Sequence, residues 1–208
     1  MGLIYGSGSF TRFWVKGSLP EDHLEELEKK ISRHAFRKLD ESLNEERSAG
    51  WVNIMDMIDN QLAKREFYKE PYIAMSLRVD VRKVPSKILA QYCREAEDEI
   101  KKQEELQYLP KGRRQEIREM VHLQLLKRVL PRANTYDMTW NTDTSTVLFG
   151  SVNTQICDEF AEFFLRTFDL HLTSIFPYSI ASRDLERQGM APNILEGLRA
   201  SIFVEDNG

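Results

Sequence analysis

Cysteine is scarce in this chain. The 208 residues hold two, Cys93 and Cys157, far apart and in no Cys-x-x-Cys pair. That excludes a disulfide framework and a four-cysteine zinc site, and a reducing compartment is the expected setting. Long apolar runs are also missing: no stretch approaches the roughly 18 residues of a membrane span. The opening Met1-Gly-Leu-Ile-Tyr-Gly-Ser-Gly-Ser has no basic start, so a secretory signal is not expected. A surplus of positive charge is absent too. Lys and Arg number 29 against 33 Asp and Glu, for a net charge of −4 and a pI of about 5.7. This excludes a protein basic over its whole surface and leaves room for a local basic patch. With 41% hydrophobic and 30% charged residues, the expectation is a globular, cytoplasmic protein of one large or two small domains.

Catalytic motifs are equally sparse. None of the histidines, His23, His34, His122 and His171, stands at ligand spacing to another or in an HExxH pattern. His23 and His34 fall on a charged helix and read as solvated. His122 and His171 adjoin apolar positions and read as satisfied histidines on their elements. Gly6-Ser7-Gly8-Ser9 lacks the GxxxxGK[ST] spacing and precedes a strand, and no GxSxG elbow occurs. Asp80, Asp137 and Asp143 lie near strands and could be imagined as a metal-binding set, but turn chemistry and solvated strand ends explain them more simply. The reading is therefore not an enzyme, with no catalytic residue, no metal and no cofactor.

What is present is a clear pattern of elements. Phe10 to Val15 is aromatic and β-branched and predicts a strand. Ser18, Pro20 and Glu21 form a capping signature for a helix carrying Leu24, Leu27, Ile31 and Ala35 and ending near Leu39. Asp40 to Ala49 reads as loop and Gly50 to Met55 as a second strand, and residues 56–70 are ambiguous. Tyr72 to Val81 alternates polar and apolar residues without a break, the cleanest strand in the chain. Val84-Pro85-Ser86 opens a long helix with Ile88, Leu89, Tyr92, Ala96 and Ile100 on one face. Pro110 and Gly112 interrupt it, and a second helix from about Arg113 to Leu130 is stopped by Pro131, so the two form a helical hairpin. Strands at 134–140 and 146–150 flank a polar turn, followed by a helix at 154–168 and a strand at 170–176. Ile194, Leu195, Leu198 and Ile202 suit a short terminal helix. The order predicts an α+β fold with a mixed or antiparallel sheet, helices packed on it, and a projecting long helical hairpin. Residues 1–81 and 133–180 would form the body, 82–132 the hairpin, and 181–208 a tail or short helix.

Charge is distributed unevenly. Residues 78–132 hold 14 Lys and Arg against 9 Asp and Glu, a balance of +5, whereas 133–208 balance at −7. Within the hairpin, Glu95, Glu97, Asp98, Glu99, Glu104 and Glu105 make the end of the first helix acidic. Its start is basic (Arg82, Lys83, Lys87), as is the second helix (Lys111, Arg113, Arg114, Arg118, Lys127, Arg128, then Arg132). In an antiparallel hairpin the first helix's start meets the second's end, so Arg82, Lys83 and Lys87 would approach Lys127, Arg128 and Arg132. Such a cluster can neutralise backbone phosphates. Charge alone favours a plainer reading, a solvated helix pair with weak surface ion pairs.

Several segments, in order, resemble the bacterial recombination-associated RdgC family. They are Phe10-Thr-Arg-Phe-Trp-Val15, the charged helix ending in His34-Ala35-Phe36, Gly50-Trp51-Val52, the strand Tyr72–Val81, Val84-Pro85-Ser86, Leu130-Pro131-Arg132-Ala133, Trp140, and the strand and helix up to Phe176. The resemblance covers about residues 10–180 and corresponds to the N-terminal portion of proteins that are usually longer. It implies a non-enzymatic protein that binds double- and single-stranded DNA without reading sequence. It also implies a homodimer that rings duplex DNA, restraint of RecA-type recombinases, a nucleoid-associated location and no membrane. The DNA-binding residues would be Arg82, Lys83, Lys87, Lys111, Arg113, Arg114, Arg118, Lys127, Arg128 and Arg132. Asn134, with Tyr136 beyond it, stands where the family often carries an aromatic residue that helps close the ring. The alternative is a protein-interaction or self-association module without DNA binding, served by the apolar content of both long helices.

Overall fold

The unbroken alternation of residues 72–81 gives the strand on which the sheet is organised. The computed structural model describes residues 3, 6, 8–17, 23–40, 44–62 and 66–198. In chain order the elements are β1 (Thr11–Lys16), α1 (His23–Arg33), β2 (Arg47–Val52), β3 (Tyr68–Lys69), β4 (Tyr72–Val81), α2 (Ser86–Gln103), α3 (Lys111–Leu126), β5 (Arg132–Asn141), β6 (Thr146–Phe149), α4 (Thr154–Phe168), β7 (His171–Ser174) and α5 (Pro177–Arg187), followed by a 3-10 turn at Pro192–Gly197. The fold is α+β, and the seven strands form one curled sheet in the order β2-β4-β5-β6-β1-β7, every pair antiparallel. β3 shares the outer edge of β4 with β2.

One face of this sheet carries the main core. Ile73, Met75, Leu77 and Val79 of β4 point to it, with Phe13 and Val15, Trp51, Met138 and Trp140, and Val147 and Phe149 from the neighbouring strands. Helix α4 closes the face with Phe160, Phe163, Phe164 and Phe168, and α1 adds Leu27 and Ile31. Aromatic geometry gives this core its shape. Phe149 and Phe160 stack at 3.8 Å, and Trp51 and Trp140 each meet two or more α4 phenylalanines edge-on or tilted. Trp51 Nε1–H donates to Thr167 Oγ1 at 3.0 Å, so its one polar group is satisfied inside. Helix α4 starts on an Asn153 cap whose Oδ1 accepts from the Ile156 N–H. It ends on Asp169 in the left-handed region, where Lys30 of α1 reaches both the Asp169 carboxylate (3.0 Å) and the Phe168 carbonyl. A cation at a helix C-terminus is favourably placed, and this one ties α1 to α4.

Several expectations need correction. Helix α1 ends at Arg33 rather than near Leu39, because the next residues leave to pair with β2: the Phe36 N–H donates to the Trp51 carbonyl and the Trp51 N–H to the His34 carbonyl. His34 is half-buried with its ring edge-on to Phe163, not solvated. β2 begins at Arg47, inside the expected loop, since β4 offers partners from Ser76 to Val81. The capping signature at Ser18, Pro20 and Glu21, the His23 side chain and the end of the terminal helix at Ile202 lie outside the described residues. The helix over 177–187 was not expected. The terminal helix expected around Ile194 is a 3-10 turn.

The two long helices have a hydrophobic cluster of their own. Val84, Leu89, Cys93, Leu109, Ile117, Val121, Leu125 and Leu126 are buried together and share no residue with the sheet core. Glu104 at the end of α2 lies 3.6 Å from Arg113 at the start of α3, and Leu89 near the start of α2 shares a groove with His122 and Leu123. The pair is therefore antiparallel.

Gly50 marks the tightest crossing. A β-carbon there would sit 2.3 Å from the Phe36 α-carbon and 2.4 Å from its nitrogen, both backbone atoms unable to yield. Gly50→Ala should lower unfolding free energy by about 3 kcal/mol in urea titration. An unchanged midpoint would contradict the crossing. Burial pushes the Cys93 thiol up, so it should alkylate slowly at neutral pH. Ile117→Ala, which opens the hairpin cluster, should speed labelling of Cys93 and leave the buried Cys157 slow. Equal acceleration at both cysteines would show the hairpin and sheet opening as one unit.

Candidate nucleic-acid interface

The pairing of β4 with β5 sets the geometry of the basic residues. It runs without a break from Tyr72↔Asn141 to Val81↔Arg132. The chain leaves β4 at Val81 and re-enters β5 at Arg132, so the whole helical hairpin is an insertion between two directly opposed residues. Opposed residues of an antiparallel pair lie about 5 Å apart. Arg132 therefore stands next to the strand end that leads into Lys83, and both residues are exposed. Lys87 is exposed in the first turn of α2, and Lys127 and Arg128 are exposed just past the end of α3. In an antiparallel pair these meet at the same end. Lys83, Lys87, Lys127, Arg128 and Arg132 thus form the root group, and among the described residues none has an ion-pair partner.

The other expected residues are placed differently. Arg82 is only 3% exposed, and its backbone N–H donates to the Glu46 carbonyl at 2.7 Å. It is folded into the junction and does not present a surface charge. Strand alternation gave no sign of this. Lys111, Arg113 and Arg114 lie at the far end of α3, a helix of 16 residues and so about 24 Å long. Arg113 is held by Glu116 at 3.0 Å and Glu104 at 3.6 Å, and the hydrogen bond to Glu116 raises its pKa first, Glu104 adding to it. Arg114 lies over the Tyr108 ring, 5.6 Å from its centroid. Arg118 is exposed midway, beside the groove that holds Leu89. The ten residues therefore divide into a free root group of five, a partly neutralised tip of three, the exposed Arg118 between them and the buried Arg82.

Helix electrostatics sharpen the contrast. Both α2 and α3 begin on a proline that provides no side-chain cap, and neither has an acidic residue in its first turn. Instead Lys87 sits in the first turn of α2, and Lys111, Arg113 and Arg114 in that of α3. The positive end of a helix dipole disfavours cations and favours an anion there.

The imagined acidic set is not gathered. Asp80, 4% exposed, takes two hydrogen bonds from Arg78 at 2.8 and 2.9 Å. Asp137 accepts from Ser76 Oγ at 2.7 Å and from the Leu3 N–H at 2.8 Å. Asp143 is exposed in the β5–β6 turn. Sequence reading missed the Arg78–Asp80 pair, whose only signal was two opposite charges on one face of a strand.

No helix among the described residues is long and apolar enough to cross a membrane. Comparison of the sequence with curated proteins found no match. A family model described as "Putative exonuclease, RdgC" matches residues 12–182, from β1 into α5, and takes in the hairpin and the paired strands that carry it. The chain belongs to the RdgC family.

Proposed function

We propose that this protein binds DNA through backbone phosphates, without reading base sequence, and serves recombination or replication by limiting RecA-type strand exchange. It works as a homodimer on nucleoid DNA in the cytoplasm, with the hairpin standing off the sheet to meet the duplex, and it binds rather than cleaves. The observation that carries the reading is the root group: five exposed cations without ion-pair partners among the described residues, converging where Val81 faces Arg132. The two uncapped, cation-bearing helix starts support it. A chain of net charge −4 can still hold such a patch, because acidic residues such as Asp158, Glu159 and Glu162 on α4 and Asp184 and Glu186 on α5 lie on other elements. Lys111, Arg114 and Arg118 extend the contact along α3, and Arg113 contributes less because Glu104 and Glu116 already neutralise it.

Five phosphate contacts correspond to a log–log salt slope of about −4 to −5 on duplex DNA. Affinity for a random duplex should fall about 10²- to 10³-fold between about 50 and 200 mM salt. Lys127→Glu/Arg128→Glu should weaken binding at least about tenfold at low salt and reduce the slope by about 2. Fluorescence anisotropy checks both. Affinity independent of salt, or a double variant indistinguishable from the parent, would contradict the reading.

A second reading rests on exposed apolar side chains of the same hairpin: Ile88 and Tyr92 on α2, Met120 and Leu123 on α3. If the hairpin is a protein-interaction surface, charge reversal at Lys127 and Arg128 leaves function intact. Tyr92→Ser/Leu123→Ser then abolishes self-association in sedimentation.

A further inference from the structure

The sheet face opposite the aromatic core carries a cleft of about 460 Å³ where β1 and β7 meet α5. Its size falls within the range of small-ligand sites. In β1, Phe13 and Val15 turn into the core, so Trp14 and Lys16 face the other way. The register sets Thr173 of β7 beside Trp14. Across the cleft, α5 contributes Tyr178 and Arg183, with Phe176 just before the helix. No residue of α5 is buried, although the helix presents one side to the cleft.

Three features define the chemistry of an occupant. Phe176 and Tyr178 are each 50% exposed, with rings nearly parallel at 15° and centroids 6.5 Å apart. The Arg183 guanidinium lies over the Trp14 ring at 4.4 Å and offers a further flat, cationic surface. Lys16 and Arg183 have no ion-pair partner among the described residues, and Glu186 is the one carboxylate lining the cleft. Flat apolar faces with adjacent free cations suit a planar ring attached to a negatively charged backbone. A nucleobase with its phosphate has that form, and stacking on aromatic side chains beside a basic track is how single strands are held without sequence preference.

We infer that this cleft is a stacking site for an unpaired base of single-stranded nucleic acid. Phe176 and Tyr178 take the base, and Lys16 and Arg183 take the neighbouring phosphates. A base paired within a duplex has both faces covered and cannot enter. The site shares no residue with the hairpin root, so it stands or falls independently of duplex binding.

The test is titration of the full chain with a short single-stranded oligothymidine and, separately, with a duplex of equal length. Trp51 and Trp140 are 0% and 2% exposed, so a change in tryptophan emission on adding the single strand reports Trp14. We expect that change with the single strand and not with the duplex. Phe176→Ala/Tyr178→Ala should weaken single-strand binding about tenfold and remove the emission change, with duplex affinity and melting temperature unaltered. Arg183→Glu should weaken single-strand binding as well. Single-strand binding that leaves Trp14 emission unmoved, or that survives both variants, overturns the inference, as does the absence of single-strand binding. Loss of duplex binding in Lys127→Glu/Arg128→Glu bears on the hairpin alone.

Discussion

Ten consecutive residue pairs join β4 to β5, and the rest of the molecule depends on that ladder. It runs through the centre of the sheet, so its inward side chains, from Ile73 to Val79 and from Met138 to Trp140, form the floor of the aromatic core. It also holds the two ends of a fifty-residue insertion within one strand spacing of each other. A helical hairpin closed by such a clamp needs no further tie to keep its first and last turns together. That is why cations far apart in the chain, Lys83 and Lys87 on one side and Lys127, Arg128 and Arg132 on the other, converge on one place.

The remainder of the sheet helps pack this ladder against α4. Trp51 is central to that packing. It is fully buried, it meets Phe160, Phe163 and Phe168, and its indole N–H is satisfied by Thr167. Gly50 beside it lets the chain after α1 cross at backbone contact, and at that crossing the Phe36 N–H donates to the Trp51 carbonyl and the Trp51 N–H to the His34 carbonyl. Glu46, just before β2, accepts from the Arg82 N–H and lies 3.8 Å from His122 of α3. The sheet edge and the hairpin are thus in contact near the root, although their hydrophobic clusters are separate.

Much of this was legible in the sequence where one physical signal acted alone. β4 and α4 occupy the predicted residues, because strict alternation and a helical phenylalanine stripe leave no competing register. The β5–β6 turn was visible in its run of Asn, Thr, Asp and Ser. Where tertiary contact overrides local preference, prediction failed. Ala35 continues the apolar spacing of α1, yet the chain departs there to meet Trp51. Helix α5 escaped notice because its eleven residues offer only Ile180 and Leu185 as large aliphatic positions, and it buries neither. The candidate site was legible as a set of charges and not as a surface. Composition cannot tell the buried Arg82 or the paired Arg113 from the free Lys127.

The central claim is that the hairpin root, rather than basic residues in general, meets the phosphate backbone. Lysine acylation followed by mass spectrometry, with and without a random duplex, tests it directly. Lys83, Lys87 and Lys127 should be protected by duplex, while the exposed Lys29 on α1 and Lys69 on β3 keep their free reactivity. Equal labelling of all five lysines with and without duplex, or protection of Lys29 and Lys69 instead, would contradict the account.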